Sequence, residues 1–120
     1  LMPSEPGWWG CEWSYTLDDV LPELDVVYML RIQMERLDGA PLPSLREYTM
    51  LYGIDAARLA AMKPEAIIMH PGPINRGVEL SAEAADSERA VILDQVNAGV
   101  AVRMSVMYLL LGGDNSGLAS

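Results

Sequence analysis

Two short apolar runs are the clearest pattern in this chain. The first occupies residues 25–30, where five apolar residues follow Asp25, and the second spans residues 66–69. Continuous apolar runs of this length are typical of strands buried on both faces of a parallel sheet. We therefore expect two strands here. A third strand, between Trp8 and Tyr15, is a weaker candidate because Gly10 interrupts it.

Three short helices are indicated by a capping residue followed by a stretch with helical features. The predicted segments are 17–24 after Thr16, 45–52 after Ser44 and 56–62 after Asp55. Ser44 and Glu47 fit a capping box, in which each side chain bonds the free N–H of the other residue. Pro22 limits the first helix to about two turns, and Gly53 is expected to end the second.

The longest predicted helix starts near Ser87 and ends at the Gly112-Gly113 pair. Its apolar residues recur at intervals of three and four, which predicts one buried face. These residues are Ile92, Val96, Val100, Met104, Met107 and Leu111. Residues 113–120 are expected to form a flexible tail.

Strands that alternate with helices predict an α/β fold with a parallel sheet. The 120 residues suit one domain at most. A parallel sheet normally has more than two strands and helices on both faces. We therefore expect part of the sheet to be missing from this chain.

The net charge of −9 disfavours nucleic acid and anionic membranes as partners, because both are bound by clustered cations. It does not exclude a small anionic substrate, since charges beyond a Debye length of about 8 Å are screened. Cys11 is the single cysteine, so an internal disulfide is excluded. No basic leader segment or membrane-length apolar stretch is visible, and we expect a cytoplasmic protein.

The residues after the first predicted strand are the first candidate site. If the segment stays extended, Arg31, Gln33 and Glu35 point one way, and Ile32 and Met34 point the other. A guanidinium and an amide on one face suit a carboxylate ligand. The alternative, which the pattern alone favours, is a solvated surface, or an Arg31–Glu35 pair on a helix.

The second candidate site is the turn His70-Pro71-Gly72-Pro73, which ends the second apolar run. Gly72 permits close approach of a ligand, and the Gly72–Pro73 bond is a candidate cis peptide. The carbonyls of Pro71 and Gly72 would then be fixed acceptors for N–H donors. For His70, a structural role bonding a neighbouring loop is favoured over a general base or metal ligand, because no second histidine exists.

The third candidate is the loop of residues 75–79, where Arg76 and Glu79 can pair with each other or with a neighbouring domain. The sequence contains no glycine-rich phosphate loop, no nucleophile elbow and no zinc-ligand spacing. We therefore expect no catalytic nucleophile, no metal and no cofactor in this chain.

Four segments together resemble the aspartate carbamoyltransferases. They are V-V-Y-M-L-R-I-Q-M-E-R (26–36), P-S-L-R-E-Y-T-M-L-Y-G-I (43–54), M-H-P-G-P-I-N-R-G-V-E-L (69–80) and Q-V-N-A-G-V-A-V-R-M-S-V-M-Y-L-L-L-G (95–112). Ornithine carbamoyltransferases have His-Cys-Leu-Pro where this chain has His-Pro-Gly-Pro. The resemblance implies that residues 1–112 are part of the carboxyl-terminal, aspartate-binding domain of the aspartate enzymes, a three-layer, Rossmann-like α/β domain whose first strands are missing here.

The resemblance also implies roles for the candidate residues. Arg31 is similar to the arginine that binds a carboxylate of L-aspartate, with Gln33 beside it. Glu35 and Arg36 resemble members of a loop that closes over the substrates. Pro71, Gly72 and Pro73 are similar to the turn that binds carbamoyl phosphate. Arg76 and Glu79 would lie near the contact between the two domains.

The reaction implied by the resemblance transfers the carbamoyl group of carbamoyl phosphate to L-aspartate in pyrimidine synthesis, without a cofactor. The family forms homotrimers, in some cases with regulatory or dihydroorotase chains. Its phosphate-binding Ser-x-Arg-Thr motif does not occur here, so these residues alone are expected to be inactive and poorly folded. Two alternatives are a non-catalytic homologue that acts as a structural or regulatory subunit, and a transcarbamoylase with another amino acceptor.

Overall fold

The computed structural model describes residues 10–32 and 44–112. In chain order, its elements are α1 (Leu17–Val20), a 3₁₀ turn (Leu21–Glu23), β1 (Val26–Tyr28), α2 (Leu45–Tyr52), α3 (Ala56–Ala61), β2 (Ile67–Met69), α4 (Ala82–Ala85) and α5 (Ile92–Leu110). β1 and β2 form a parallel sheet in which Val27 lies opposite Ile68. The predicted α/β arrangement with parallel strands is therefore confirmed.

A third extended segment lies on the other edge of β2. The Ile68 N–H donates to the Arg89 carbonyl at 2.7 Å, and the Ile68 carbonyl accepts from the Val91 N–H at 3.0 Å. β2 is thus paired on both edges. The weaker strand candidate at residues 8–15 is wrong for its described part, since residues 10–15 contain no strand.

The core lies on one side of β1. Val27 is buried, whereas Val26 and Tyr28 are exposed, so the prediction that both faces of this strand are buried is wrong for the described chain. Alternation of this kind arises because successive side chains of a strand point to opposite faces. The buried apolar residues are Leu21, Val27, Met29, Ile54, Met62, Ala66, Ile68, Leu80, Ala84 and Ile92.

Two helix caps follow the sequence prediction. The Ser44 hydroxyl accepts a bond from the Glu47 N–H at 3.1 Å, and the Asp55 carboxylate accepts one from the Arg58 N–H at 2.8 Å. Each bond satisfies an N–H group that the first helical turn leaves free. Thr16 also precedes a helix, but its side chain makes no capping bond.

Gly53 ends α2 for a reason of space rather than backbone conformation. Its φ angle is −70°, which any residue can adopt. A Cβ atom at this position would lie 2.6 Å from the Val78 carbonyl oxygen and 2.7 Å from that of Thr49. Glycine therefore lets the end of α2 approach the loop that contains Val78.

The segment before α5 departs from the prediction. Ser87 does not start the last helix, because its hydroxyl donates to the Ala84 carbonyl at 2.9 Å and closes α4. The sequence analysis missed α4, which Ser81 caps by accepting from the Ala84 N–H at 3.2 Å. Residues 89–91 pair with β2, so α5 begins only at Ile92.

Most of the predicted buried face of α5 is exposed in the described chain. Ile92 is buried, but the exposed fraction is 38% at Val96, 66% at Met104 and 82% at Leu111. The prediction of a buried face is thus wrong here beyond the first turn of the helix. None of the helices in the described ranges has the length and apolar character needed to cross a bilayer. The predicted tail, residues 113–120, lies outside the described residues.

Candidate functional site

The Arg31 segment and the His70–Pro73 turn leave the sheet at the same edge. β1 and β2 are parallel, and Tyr28 is paired with Met69. Pairing continues one residue further, because the Met29 N–H donates to the Met69 carbonyl at 2.8 Å. Open α/β folds bind ligands at this carboxyl edge of the sheet.

A side-chain bond joins the two candidate segments. The Asn75 side-chain amide donates to the Ile32 carbonyl at 3.1 Å, which holds the loop after the turn against the residue that follows Arg31. Arg31 itself is partly buried. Three residues of the predicted site lie outside the described part of the chain, and their roles stay predictions: Gln33, Glu35 and Arg36.

The turn has the backbone geometry that the sequence indicated. The Gly72–Pro73 peptide bond is cis, as predicted, and Gly72 has a φ angle of +65°. A Cβ atom at Gly72 would meet only a Val96 methyl carbon, at 3.7 Å. The left-handed backbone, and not lack of space, therefore favours glycine here.

His70 is fully buried. Its Nδ1 accepts from the Gly72 N–H at 2.9 Å, and its Nε2 lies 3.3 Å from Oε1 of Glu79. An acceptor at Nδ1 must carry a lone pair, so these bonds assign the proton to Nε2, which donates to Glu79. The predicted structural role, with a bond to a neighbouring loop, matches this geometry.

Glu79 is the inward-facing member of the loop after the turn. It is fully buried, and its Oε1 also accepts from the Asn75 N–H at 2.8 Å. Its Oε2 has no hydrogen-bond partner among the described residues. Because the side chain is buried, any contribution of Glu79 to a domain contact would come through the loop that it holds and not from its own atoms.

Arg76 faces the opposite way from Glu79. Its guanidinium makes two hydrogen bonds to the Asp86 carboxylate, at 2.9 and 2.7 Å. This hydrogen bonding by Arg76 holds the pKa of Asp86 below its ordinary value of 3.8. Of the pairings that the sequence left open, a bond between Arg76 and Glu79 is excluded by this geometry.

Gln95, which the sequence analysis did not single out, supports the turn from α5. Its side-chain oxygen accepts from the His70 N–H at 2.9 Å, and its amide nitrogen donates to the Tyr28 hydroxyl at 2.8 Å. One side chain thus ties the ends of both strands to the last helix. In the sequence, Gln95 is a polar residue three positions after Ile92 in a largely apolar helix.

An open cleft of about 360 Å³ lies beside the carboxyl end of β1. Its lining residues are Leu17, Tyr28, Met29, Leu30, Tyr48 and Tyr52. Burial raises the pKa of Tyr48 above its ordinary value of 10.0, and the nearby charges of Glu79 and Tyr52 add to the rise. The phenol therefore stays neutral near pH 7 and contributes a hydroxyl, not a charge, to this edge.

The chemistry of the described site is that of binding and orientation. Its functional groups are fixed carbonyls, an arginine and a neutral imidazole that is already engaged. Within residues 10–32 and 44–112, no group of three histidine, cysteine or acidic side chains is arranged to hold a metal ion.

Comparison with known proteins identifies the family. The family model described as aspartate/ornithine carbamoyltransferase, Asp/Orn binding domain, matches residues 9–110. The aspartate carbamoyltransferase catalytic subunit of Acidothermus cellulolyticus is 55% identical over 119 residues, which are 99% of this chain and 37% of that protein. The Thermobifida fusca protein of the same name is 57% identical over 94% of this chain and 36% of its own length. The chain thus spans little more than a third of these relatives.

Solved structures show the same fold. Aspartate transcarbamoylase from Trypanosoma cruzi, crystallised with carbamoyl phosphate, superposes with a TM-score of 0.66 at 35% identity, over 78% of this chain and 29% of that one. Ornithine carbamoyltransferase from Pyrococcus furiosus gives 0.65 at 22% identity, over 82% and 31%, which supports the fold alone. The chain therefore belongs to the aspartate/ornithine carbamoyltransferase family, and residues 9–110 correspond to its Asp/Orn binding domain.

Proposed function

We propose that this chain is part of an aspartate carbamoyltransferase, which transfers the carbamoyl group of carbamoyl phosphate to the amine of L-aspartate. The observation that supports the proposal is the meeting of the Arg31 segment and the His70–Pro73 turn at one sheet edge, held by the bond from Asn75 to Ile32. The relatives from Acidothermus cellulolyticus and Thermobifida fusca both carry this name.

Carbamoyl phosphate is the substrate proposed for the turn. Its carbamoyl group ends in an NH₂ with two donors, and the Pro71 and Gly72 carbonyls are acceptors held in fixed directions. Neither carbonyl accepts a backbone hydrogen bond from the described residues. Pro73 completes the turn through its cis bond.

L-aspartate is the substrate proposed for Arg31 and Gln33. A guanidinium binds a carboxylate bidentately, and Glu35 and Arg36 would belong to the loop that closes over both substrates. The aspartate amine then attacks the carbamoyl carbon and a tetrahedral species forms. The C–O bond breaks, and phosphate leaves with the electrons of that bond and with the proton that the amine gives up. Orientation and electrostatic stabilisation are sufficient for such a step, without a protein nucleophile.

The rest of the active site would lie in the remainder of a longer protein. The relatives are nearly three times as long as the matched region, and the phosphate-binding motif is not in this sequence. We propose that the exposed apolar side of α5 packs towards that remainder, with Arg76 and Glu79 near the contact. A homotrimer in the cytoplasm, serving pyrimidine synthesis with or without regulatory or dihydroorotase chains, completes the proposal.

A hybrid enzyme tests the proposal directly. In it, this chain replaces the matching region of the Acidothermus cellulolyticus relative, to which it is 55% identical. We expect the hybrid to carbamoylate L-aspartate and not L-ornithine, and this chain alone to be inactive. A hybrid that folds but transfers no carbamoyl group would contradict the proposal and favour the non-catalytic homologue.

Arg31→Ala in the hybrid tests the aspartate site. Removing a charge-assisted hydrogen bond should raise the aspartate KM about 10- to 100-fold and lower kcat, while binding of carbamoyl phosphate changes little. Arg46→Ala is the matched control, because Arg46 is exposed on α2. An aspartate KM that is equal in the two variants would show that Arg31 does not bind aspartate.

A further inference from the structure

The Pro71–Gly72 peptide is held from its N–H side. Its N–H donates to Nδ1 of His70, a fully buried ring, at 2.9 Å. This peptide is not among the cis bonds of the described chain, so its C=O and N–H point in opposite directions within one rigid plane. An N–H directed into the core therefore directs the Pro71 carbonyl outwards, away from the ring.

The ring is in turn held by Glu79. Nε2 of His70 lies 3.3 Å from Oε1 of Glu79, and the same oxygen accepts the Asn75 N–H at 2.8 Å. The Asn75 side chain then donates to the Ile32 carbonyl at 3.1 Å. A continuous line of hydrogen bonds thus runs from the turn to the segment that carries Arg31.

We propose that the buried His70–Glu79 pair is a positioning element that aims the Pro71 carbonyl at the carbamoyl NH₂. The inference rests on the proposed function, since it assumes that the turn binds carbamoyl phosphate. His70 touches no substrate. It acts through the Gly72 N–H, and Glu79 acts through His70.

Two substitutions at His70 test separately the hydrogen bonds made by the two ring nitrogens. In His70→Asn, the side-chain oxygen takes the place of Nδ1 and still accepts from Gly72, but the bond to Glu79 is lost. In His70→Gln, the longer amide reaches Glu79 but no longer offers an acceptor to Gly72. Both variants remove buried ring atoms, so both lower stability, and only the second releases the peptide.

In the hybrid enzyme, we expect His70→Gln to raise the KM for carbamoyl phosphate about tenfold, the effect of losing one well-aligned hydrogen bond. His70→Asn should raise it less than about threefold, although its unfolding midpoint falls as well. Equal KM values in the two variants, or a larger effect in His70→Asn, would overturn the proposal. A parent hybrid without activity would instead contradict the proposed function.

Glu79 provides a second, independent test. Glu79→Gln keeps an oxygen that can accept from His70 and Asn75, whereas Glu79→Leu keeps only the volume. We expect the carbamoyl phosphate KM to stay within about threefold of the parent in Glu79→Gln. It should rise about tenfold in Glu79→Leu, because an imidazole without an acceptor at Nε2 can carry its proton on Nδ1, which then no longer accepts from Gly72, whereas the asparagine oxygen of His70→Asn is an acceptor in any case. If Glu79→Leu retains the parent KM, Glu79 does not position the ring.

Discussion

Arg58 forms a bidentate ion pair with Asp18, which lies 40 positions earlier in the chain. The guanidinium Nε lies 2.6 Å from one carboxylate oxygen, and Nη2 lies 2.9 Å from the other. Nη1 of the same side chain donates to the Gly53 carbonyl at 2.7 Å. One arginine of α3 thus fastens α1 and the end of α2, and its hydrogen bonds to Asp18 hold the pKa of that carboxyl below its ordinary value of 3.8.

Arg58→Met should lower the free energy of unfolding of the hybrid enzyme by about 1 kcal/mol, because the Gly53 carbonyl loses its donor. Asp18→Asn should cost less, since Asp18 is 60% exposed while Arg58 is 13% exposed, and exposed ion pairs contribute little. Urea unfolding measures both, with the exposed Arg46→Met as control. An Asp18→Asn effect larger than that of Arg58→Met would show that the ion pair, and not the carbonyl bond, is the main contribution.

Gly53→Ala should destabilise the protein by about 1–3 kcal/mol, the usual cost of overpacking. The added methyl group would meet the carbonyl oxygens of Val78 and Thr49, neither of which can rotate away. Thr49→Ser is the control, because it removes only the Thr49 methyl carbon, 3.3 Å from the new atom. Urea unfolding of the double variant should show no rescue. Recovery of stability would mean that the clash is with the side chain and that the backbone has room.

Local features of the fold were predictable from the sequence, and features set by distant pairing were not. The Ser44 and Asp55 caps depend on residues three positions apart, and the cis bond depends on one dipeptide. The start of α5 was misplaced because residues 89–91 bond to Ile68, which no pattern near Ser87 reveals.

The candidate site likewise has parts that the sequence predicts and parts that it does not. The turn and the Arg31 segment were recognisable because strand ends and proline-glycine turns are local signals. The sequence could not decide which charged residue of the loop faces inwards. The structure turns Glu79 into the core, where it meets the buried His70, and Arg76 out to Asp86.

Gln95→Ala should lower the free energy of unfolding of the hybrid by about 1–3 kcal/mol, because the N–H of the buried His70 would lose its acceptor. Tyr28→Phe removes only the other bond of Gln95, at an exposed hydroxyl, and should cost less than half as much. Urea unfolding compares the two. If Tyr28→Phe costs as much as Gln95→Ala, the tie between the strand ends and α5 depends on the tyrosine and not on the His70 N–H.

The Arg76–Asp86 pair should stabilise the protein only above acidic pH. Folding lowers the pKa of Asp86, so its charged form is favoured in the folded state. This contribution is fully present above the ordinary pKa of 3.8 and is lost as the pH falls through the lowered value. A double-mutant cycle of Asp86→Asn and Arg76→Met in the hybrid, followed by thermal unfolding at fixed protein concentration, measures it.

At pH 7 and low salt, the cycle should give a small favourable coupling, because the two side chains are 54% and 64% exposed and water screens their attraction. The coupling should disappear below the lowered pKa, where Asp86 is protonated. It should also shrink in about 1 M salt, where the Debye length is about 3 Å. A coupling that persists under both conditions would show that the two hydrogen bonds, and not the charges, stabilise the pair.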